Sequence, residues 1–256
     1  MESIAPLSLQ EDWDNSGFQL KLSDNVNRVL VALEITDEVI DEAIEMGADL
    51  ILTHHPLYFR PLKCIESGKY LSDFTIKLIK NNISVYSSHT PFDICEGGNN
   101  DYLGQLLGLE NIRPMAGDDS SITRCGTLKV PATAYEIIEK AEEALVIDSG
   151  FFKYSGELDT VIRKIGWCTG AGDEFVEMAL KEGCELFISG DVKYHTAQNA
   201  RSMGISLLDC GHFGTEYLFA ENMASKLDKS ENLDILVSRV NINPFTLIQG
   251  VSYEEE

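Results

Sequence analysis

The sequence predicts an α/β fold of two similar halves, with mostly parallel sheets and flanking helices. Two observations carry that prediction. Residues 26–53, VNRVLVALEITDEVIDEAIEMGADLILT, align without a gap on residues 162–189, IRKIGWCTGAGDEFVEMALKEGCELFIS. Each copy also reads as strand, helix, strand, with short apolar runs at the strands and apolar residues three and four apart in the helix. Two such units imply parallel pairing through right-handed crossovers.

In the first copy VLVALE (29–34) is a strand of the kind covered on both faces. Thr36 or Asp37 can cap the next helix. Val39, Ile40, Ala43 and Ile44 form its apolar face, and Gly47 is placed to end it in a left-handed turn. LILT (50–53) is the second strand, and the helical YLSDFTIKLIK (70–80) leads into a third at ISVYSSH (83–89). The second copy has Phe175, Val176, Ala179 and Leu180 on the helix face and Gly183 at its end. ISLLDCGH (205–212) then echoes ISVYSSH. A helix over 133–145 opens the second half. ENIRPMAGDDSSITRCG (110–126) is rich in turn formers and marks a boundary between halves 1–118 and 119–256. The stretch NLDILVSRVNINPF (232–245) adds a strand to one half or the other.

The 256 residues include 42 acidic and 20 basic ones, a net charge of −22. Such a chain repels phosphate backbones, so nucleic acid is an unlikely partner. Cysteines 64, 95, 125, 168, 184 and 210 form no C-x-x-C pair and read as free thiols of a reducing compartment. MESIAPLSLQEDWD lacks the basic start and apolar stretch of a signal peptide. No run approaches the roughly 18 apolar residues of a membrane helix. A cytoplasmic protein without membrane contact follows by elimination.

The five histidines are residues 54, 55, 89, 195 and 212. LILT ends in His54-His55. ISVYSS ends in His89, with Asp93 four residues on, and ISLLDC ends near His212, with Glu216 four residues on. In open α/β sheets ligands bind at the carboxyl ends of strands. Neighbours on a strand point to opposite faces, so His54 and His55 share a site only if the backbone leaves the strand, and Pro56 favours such a departure. A lone histidine is more often a satisfied polar group than a ligand. Five donors at one kind of place read as a shared metal site of His54, His55, Asp93, His212 and Glu216. That is more than one tetrahedral ion needs, and fits two divalent ions per subunit. Zinc, iron, manganese, cobalt and nickel all suit these donors. His89 and His195 are candidates for proton transfer or for supporting the ligands. Asp191 stands where the repeat matches His55. WDNSGF (13–18) reads either as a capped turn anchored by an aromatic or as a loop over the site.

These motifs, WDNSGF, THHP, SHTPFD, SGDVKYH and GHFGTE, together resemble those of the Nif-three-like family of dinuclear-metal-centre proteins, known as GTP cyclohydrolase I type 2 homologues. The resemblance runs along essentially the whole chain. It implies metal binding by His54, His55, Asp93, His212 and Glu216, two interlocked α/β halves, and a ring-shaped homohexamer. SHTPFD departs from the family pattern at Pro91, where Asn is common. The family name implies metal-activated water acting on a nucleotide or another small molecule. A non-enzymatic metal-binding or regulatory assembly is the alternative. Lys193 and Arg60 are the candidate phosphate contacts.

Overall fold

The computed structural model describes residues 1–119, 121–145, 149–227 and 233–247. The strands are β1 (Gly17–Leu20), β2 (Arg28–Ala32), β3 (Leu50–Thr53), β4 (Ser84–Ser87), β5 (Leu109–Arg113), β6 (Arg124–Thr133), β7 (Lys153–Ser155), β8 (Val161–Ala171), β9 (Leu186–Gly190), β10 (Ser206–Asp209) and β11 (Asp234–Val237). The α-helices are α1 (Asp37–Met46), α2 (Tyr70–Lys80), α3 (Thr90–Ile94), α4 (Asn99–Leu106), α5 (Ala134–Leu145), α6 (Val176–Lys181), α7 (Tyr194–Met203), α8 (His212–Glu216) and α9 (Phe219–Leu227). No helix among the described residues is long and apolar enough to cross a membrane.

Two sheets result. The first has the order β1-β4-β3-β2-β11, the second β5-β6-β8-β9-β10-β7. Strands β2, β3 and β4 run parallel, as do β8, β9 and β10. The sequence repeat is also a repeat of register. Val29 lies opposite Leu50 as Ile165 lies opposite Leu186, and Leu50 lies opposite Ser84 as Leu186 lies opposite Ser206. It extends to the antiparallel edges, where Phe18 on β1 faces Tyr86 and Tyr154 on β7 faces Leu208. Parallel pairing dominates the first sheet. The second is mixed, because β5, β6 and β7, which lie outside the aligned segments, all pair antiparallel. The turn-rich stretch 110–126 overlaps β5 and β6 rather than forming one long loop; its Ser120 lies outside the described residues.

The apolar strand runs are covered on both faces. Val29 and Val31 pack with Leu52, Phe219 and Met223 on one side, whereas Leu30 and Ala32 pack with Val39, Ile40 and Leu78 on the other. Thr36 caps α1 by accepting a hydrogen bond from the Val39 N–H at 3.2 Å, and Gly47 closes it at φ 65°. The equivalent segment of the second copy forms a short 3₁₀ turn before α6; Gly172 stands at the place of Thr36 and brings no capping hydroxyl.

The halves exchange helices. Leu103 and Leu107, from α4 and its end, pack with Ile165, Trp167 and Leu186 of the second sheet. Phe219, Met223 and Leu227 of α9 pack with Val29, Val31 and Leu52 of the first. β11 also joins the first sheet, alongside β2, which answers the choice left open for 232–245; Asn232 lies outside the described residues. The first sheet therefore draws segments from both ends of the chain, whereas the second is built from the stretch between, with α4 directly preceding β5.

The tightest point of this exchange is Gly104 on α4. A Cβ there would lie 2.4 Å from the Trp167 ring and 2.9 Å from Ile112. Gly104→Ala should destabilise the fold by about 1–3 kcal/mol, the usual range for an overpacked core. Urea unfolding at equilibrium checks this; unchanged stability would show that α4 has room to move.

Candidate metal centre

The chain leaves β3 abruptly after Thr53. The amide groups of His54 and His55 both donate to the Leu33 carbonyl, each at 3.0 Å. The His55 carbonyl is held by the hydroxyls of Thr53 (2.8 Å) and Ser87 (3.2 Å). That bend replaces strand alternation, and the two rings stand 5.2 Å apart on one side. His89 follows β4 immediately before α3, whose first turn takes Pro91 without loss because its N–H would be unpaired there. Asp93 sits on the same short helix. His212 and Glu216 lie four apart on α8, which begins at His212.

Four imidazoles are fixed in the same way, through Nδ1. His54 Nδ1 lies 3.1 Å from the Ser88 carbonyl and His89 Nδ1 2.8 Å from Asp14. His212 Nδ1 lies 2.8 Å from Asp191, and His55 Nδ1 3.5 Å from Glu34. A carbonyl or carboxylate oxygen only accepts, so Nδ1 carries the proton in the first three, which are hydrogen bonds, while the His55–Glu34 contact is an ion pair; Nε2 of each ring is left for another partner. Asp14 is itself held by the Asn15 amide and the hydroxyls of Ser16 and Thr90. WDNSGF is therefore a loop that orients a site histidine.

The Nε2 atoms converge on carboxylates. Glu216 presents Oε2 to His55 at 2.8 Å and to His212 at 3.0 Å, and Oε1 to His54 at 3.5 Å. Asp93 Oδ2 is 3.6 Å from His54 Nε2, while its Oδ1 accepts from Asn99 (3.3 Å) and Thr169 (3.4 Å). His54 is fully buried, yet its Nε2 has no hydrogen-bond partner among the described residues. In the neutral ring this atom is a lone pair facing two carboxylates, an arrangement that a cation between them would relieve. The ligand atoms of His54, His55 and His89 lie within 4.8 Å of one another, as do those of His55, His212 and Glu216. The donor set therefore fits a divalent metal ion.

Electrostatics follow the same geometry. Burial opposes charge on His55, but Glu216 and then Glu34 outweigh it and raise its pKa to about 10. His212 is likewise pulled down by burial and raised overall, to about 9, by Glu216 and Asp191. Burial would raise the Glu216 pKa, yet His54 and His55 hold it well below the ordinary carboxylate range. For Asp93 burial wins and its pKa rises. Without metal, the centre balances its carboxylates with protons.

The remaining sequence candidates lie apart from this cluster. His195 is exposed at the start of α7, edge-on to Tyr194 at 5.3 Å. Lys193 is paired with Asp173 at 3.0 Å. Arg60 is nearest, lining with Tyr70 and Phe74 an adjoining depression that His55 and Glu34 also line. Sequence reading missed Asp14 and Glu34 as anchors; the signal for Glu34 was a charge closing an apolar strand run. It also missed Gly170, at φ 65°, where a Cβ would come 2.1 Å from Glu216 Oε1. Gly170 is the repeat partner of Glu34, so one copy supplies an anchor where the other supplies space. All six cysteines are free.

The Duf34/NIF3 (NGG1p interacting factor 3) family model matches residues 1–244. A Clostridium perfringens protein named GTP cyclohydrolase 1 type 2 homolog is 37% identical over 255 residues, covering 97% of each chain. A Streptococcus pneumoniae protein of the same name is 37% identical, covering 95% of each. Among solved structures, a Staphylococcus aureus hypothetical protein is 26% identical with a TM-score of 0.88, covering 96% of each chain. Reduced HcgD from Methanocaldococcus jannaschii is 27% identical with a TM-score of 0.79, covering 92% of this chain and 93% of that one.

Two outcomes follow from the anchored imidazoles. With pKa values near 10 and 9, His55 and His212 both carry an extra proton at pH 7, so metal uptake there should release about two protons. Zinc affinity should climb from pH 7 and level off above about 10, where the last of them is already deprotonated. Calorimetry in buffers of different ionisation enthalpy reads the proton count; a count of zero would contradict the assignment. Asp191→Ala removes the anchor of His212 and should weaken metal binding about 10- to 100-fold. Competition with a chelator measures it.

Proposed function

The chain belongs to the Duf34/NIF3 family, and from that premise we propose that it binds two divalent metal ions and hydrolyses a nucleotide or other small molecule with their help. The observation that carries this reading is the buried His54 Nε2, without a hydrogen-bond partner among the described residues, facing Asp93 and Glu216, which line a solvent-connected cavity of about 520 Å³. His54, His55, Asp93, His212 and Glu216 would hold the ions. Glu216 turns one oxygen to His54 and the other to His55 and His212, so two donor groups share one carboxylate. That sharing supports two ions rather than one. Bound divalent ions supply a Lewis acid and a water of lowered pKa.

The chain's own residues supply the rest. His89 lines the cavity with Nδ1 committed to Asp14, which leaves Nε2 to accept a proton and return it to a leaving group. Asp14 keeps the ring in one tautomer and orientation. Burial of Asp93 and Glu216 limits competing water around the ions. The same proposal places the protein in the cytoplasm as a homohexamer. Exposed Ile65, Tyr70 and Ile79 support a further interface, which sedimentation tests.

Asp93→Ala and Glu216→Ala should each lower the metal content of purified protein, Glu216→Ala more, because its carboxylate meets three histidines. Full metal content in both variants would refute the ligand set. Wild-type protein loaded with each candidate metal should hydrolyse at least one member of a small-molecule panel, and His89→Gln should lower kcat about 100-fold or more. Bound metal with no turnover on any compound would assign the protein to non-enzymatic metal binding.

A further inference from the structure

The walls of the cavity at the centre carry a charge pattern that bears on its occupant. Glu11, Glu34 and Glu174 line it together with Asp93 and Glu216, and among the described residues no Lys or Arg does. These five carboxylates outnumber the four positive charges of two divalent ions. The basic groups nearby stand outside its walls: Lys193 is paired with Asp173, Lys153 of a second cavity beside His55 and His212 is paired with Asp209 at 3.1 Å, and Arg60 lines an adjoining depression that shares Glu34, His55 and Phe59 with this one. At the rim stand Trp13 and Phe59, 55% and 53% exposed, with ring centroids 6.1 Å apart. Trp13 also meets His89 edge-on at 5.7 Å. Two aromatic faces left in water beside a catalytic cleft suit a planar ring, and acidic surroundings with aromatic faces favour a cationic one.

Resting on the hydrolase reading above, we propose that the substrate is an unphosphorylated planar ring compound, neutral or positively charged, held by Trp13 and Phe59 within an acidic wall. A nucleoside triphosphate is disfavoured because its phosphates would enter a cavity already dominated by like charge. Like charges brought together in a partly desolvated cleft cost enough to exclude a ligand. Specificity then lies with the rim aromatics and with Glu11 and Glu174, and the metal ligands serve the reaction.

The test uses full-length protein at fixed, measured metal content. Guanosine, 7-methylguanosine and GTP share one ring system and differ in charge, so calorimetric titration with the three isolates the charge effect. 7-Methylguanosine should bind most tightly, and GTP about tenfold or more weaker than guanosine. Trp13→Ala, and separately Phe59→Ala, should weaken the two nucleosides about tenfold with metal content unchanged. Glu11→Gln combined with Glu174→Gln should narrow the gap between guanosine and GTP. GTP binding as tightly as guanosine, or failure of both nucleosides to bind, overturns the proposal. Loss of the hydrolase reading shows separately, as nucleoside binding in the predicted order without turnover.

Discussion

A single buried carboxylate organises this molecule's centre. Glu216 arrives on a short helix of the second half and meets His54 and His55 from the first half and His212 from its own. A carboxylate so enclosed is tolerable only with positive charge beside it. Protons on the imidazoles meet that need without metal, and a divalent ion would meet it better, because it would also satisfy the His54 Nε2, which has no hydrogen-bond partner among the described residues. The bend after β3, the anchors on each ring and the glycine beside Glu216 all serve to bring these atoms together.

The repeat explains how one centre came from two copies. Equivalent positions hold Glu34 and Gly170, His54 and Gly190, His55 and Asp191. In the first copy these residues are candidate ligands and an anchor. In the second, Gly170 admits Glu216, Asp191 holds His212, and a Cβ on Gly190 would strike the His212 backbone at 2.5 Å. The two strand ends have thus divided the work, one giving donors and the other giving room and orientation. Exchange of α4 and α9 between the sheets locks the ends in place, since neither sheet has a complete core without the other half's helix.

Much of this was legible in the sequence. The gapless repeat announced both strand–helix–strand units, whereas their shared register came only with the structure, because runs apolar on both faces pair equally well in more than one register. The histidines at strand ends pointed to a site. Less legible were β1 and β7, short strands whose partners β4 and β10 lie far along the chain, and β5 and β6, which the turn-rich stretch between them obscures. Asp14 and Glu34 gave only weak local signals as anchors, since a carboxylate in a loop or at a strand end is ordinary until its partner is known. His195 shared a motif-like context with the others, yet an exposed helix start carries it away from the cluster.

The sequence by itself determined which residue types stand at the strand ends and that the chain is built of two related units, because hydrophobic period and repeat are local properties. The tertiary structure alone decided which helix covers which sheet, which nitrogen of each ring is free, and which charges surround the cavity. Those depend on contacts between residues up to about two hundred positions apart, such as Arg28 with Asp234 or His55 with Glu216, and nothing in the local pattern encodes such a distance.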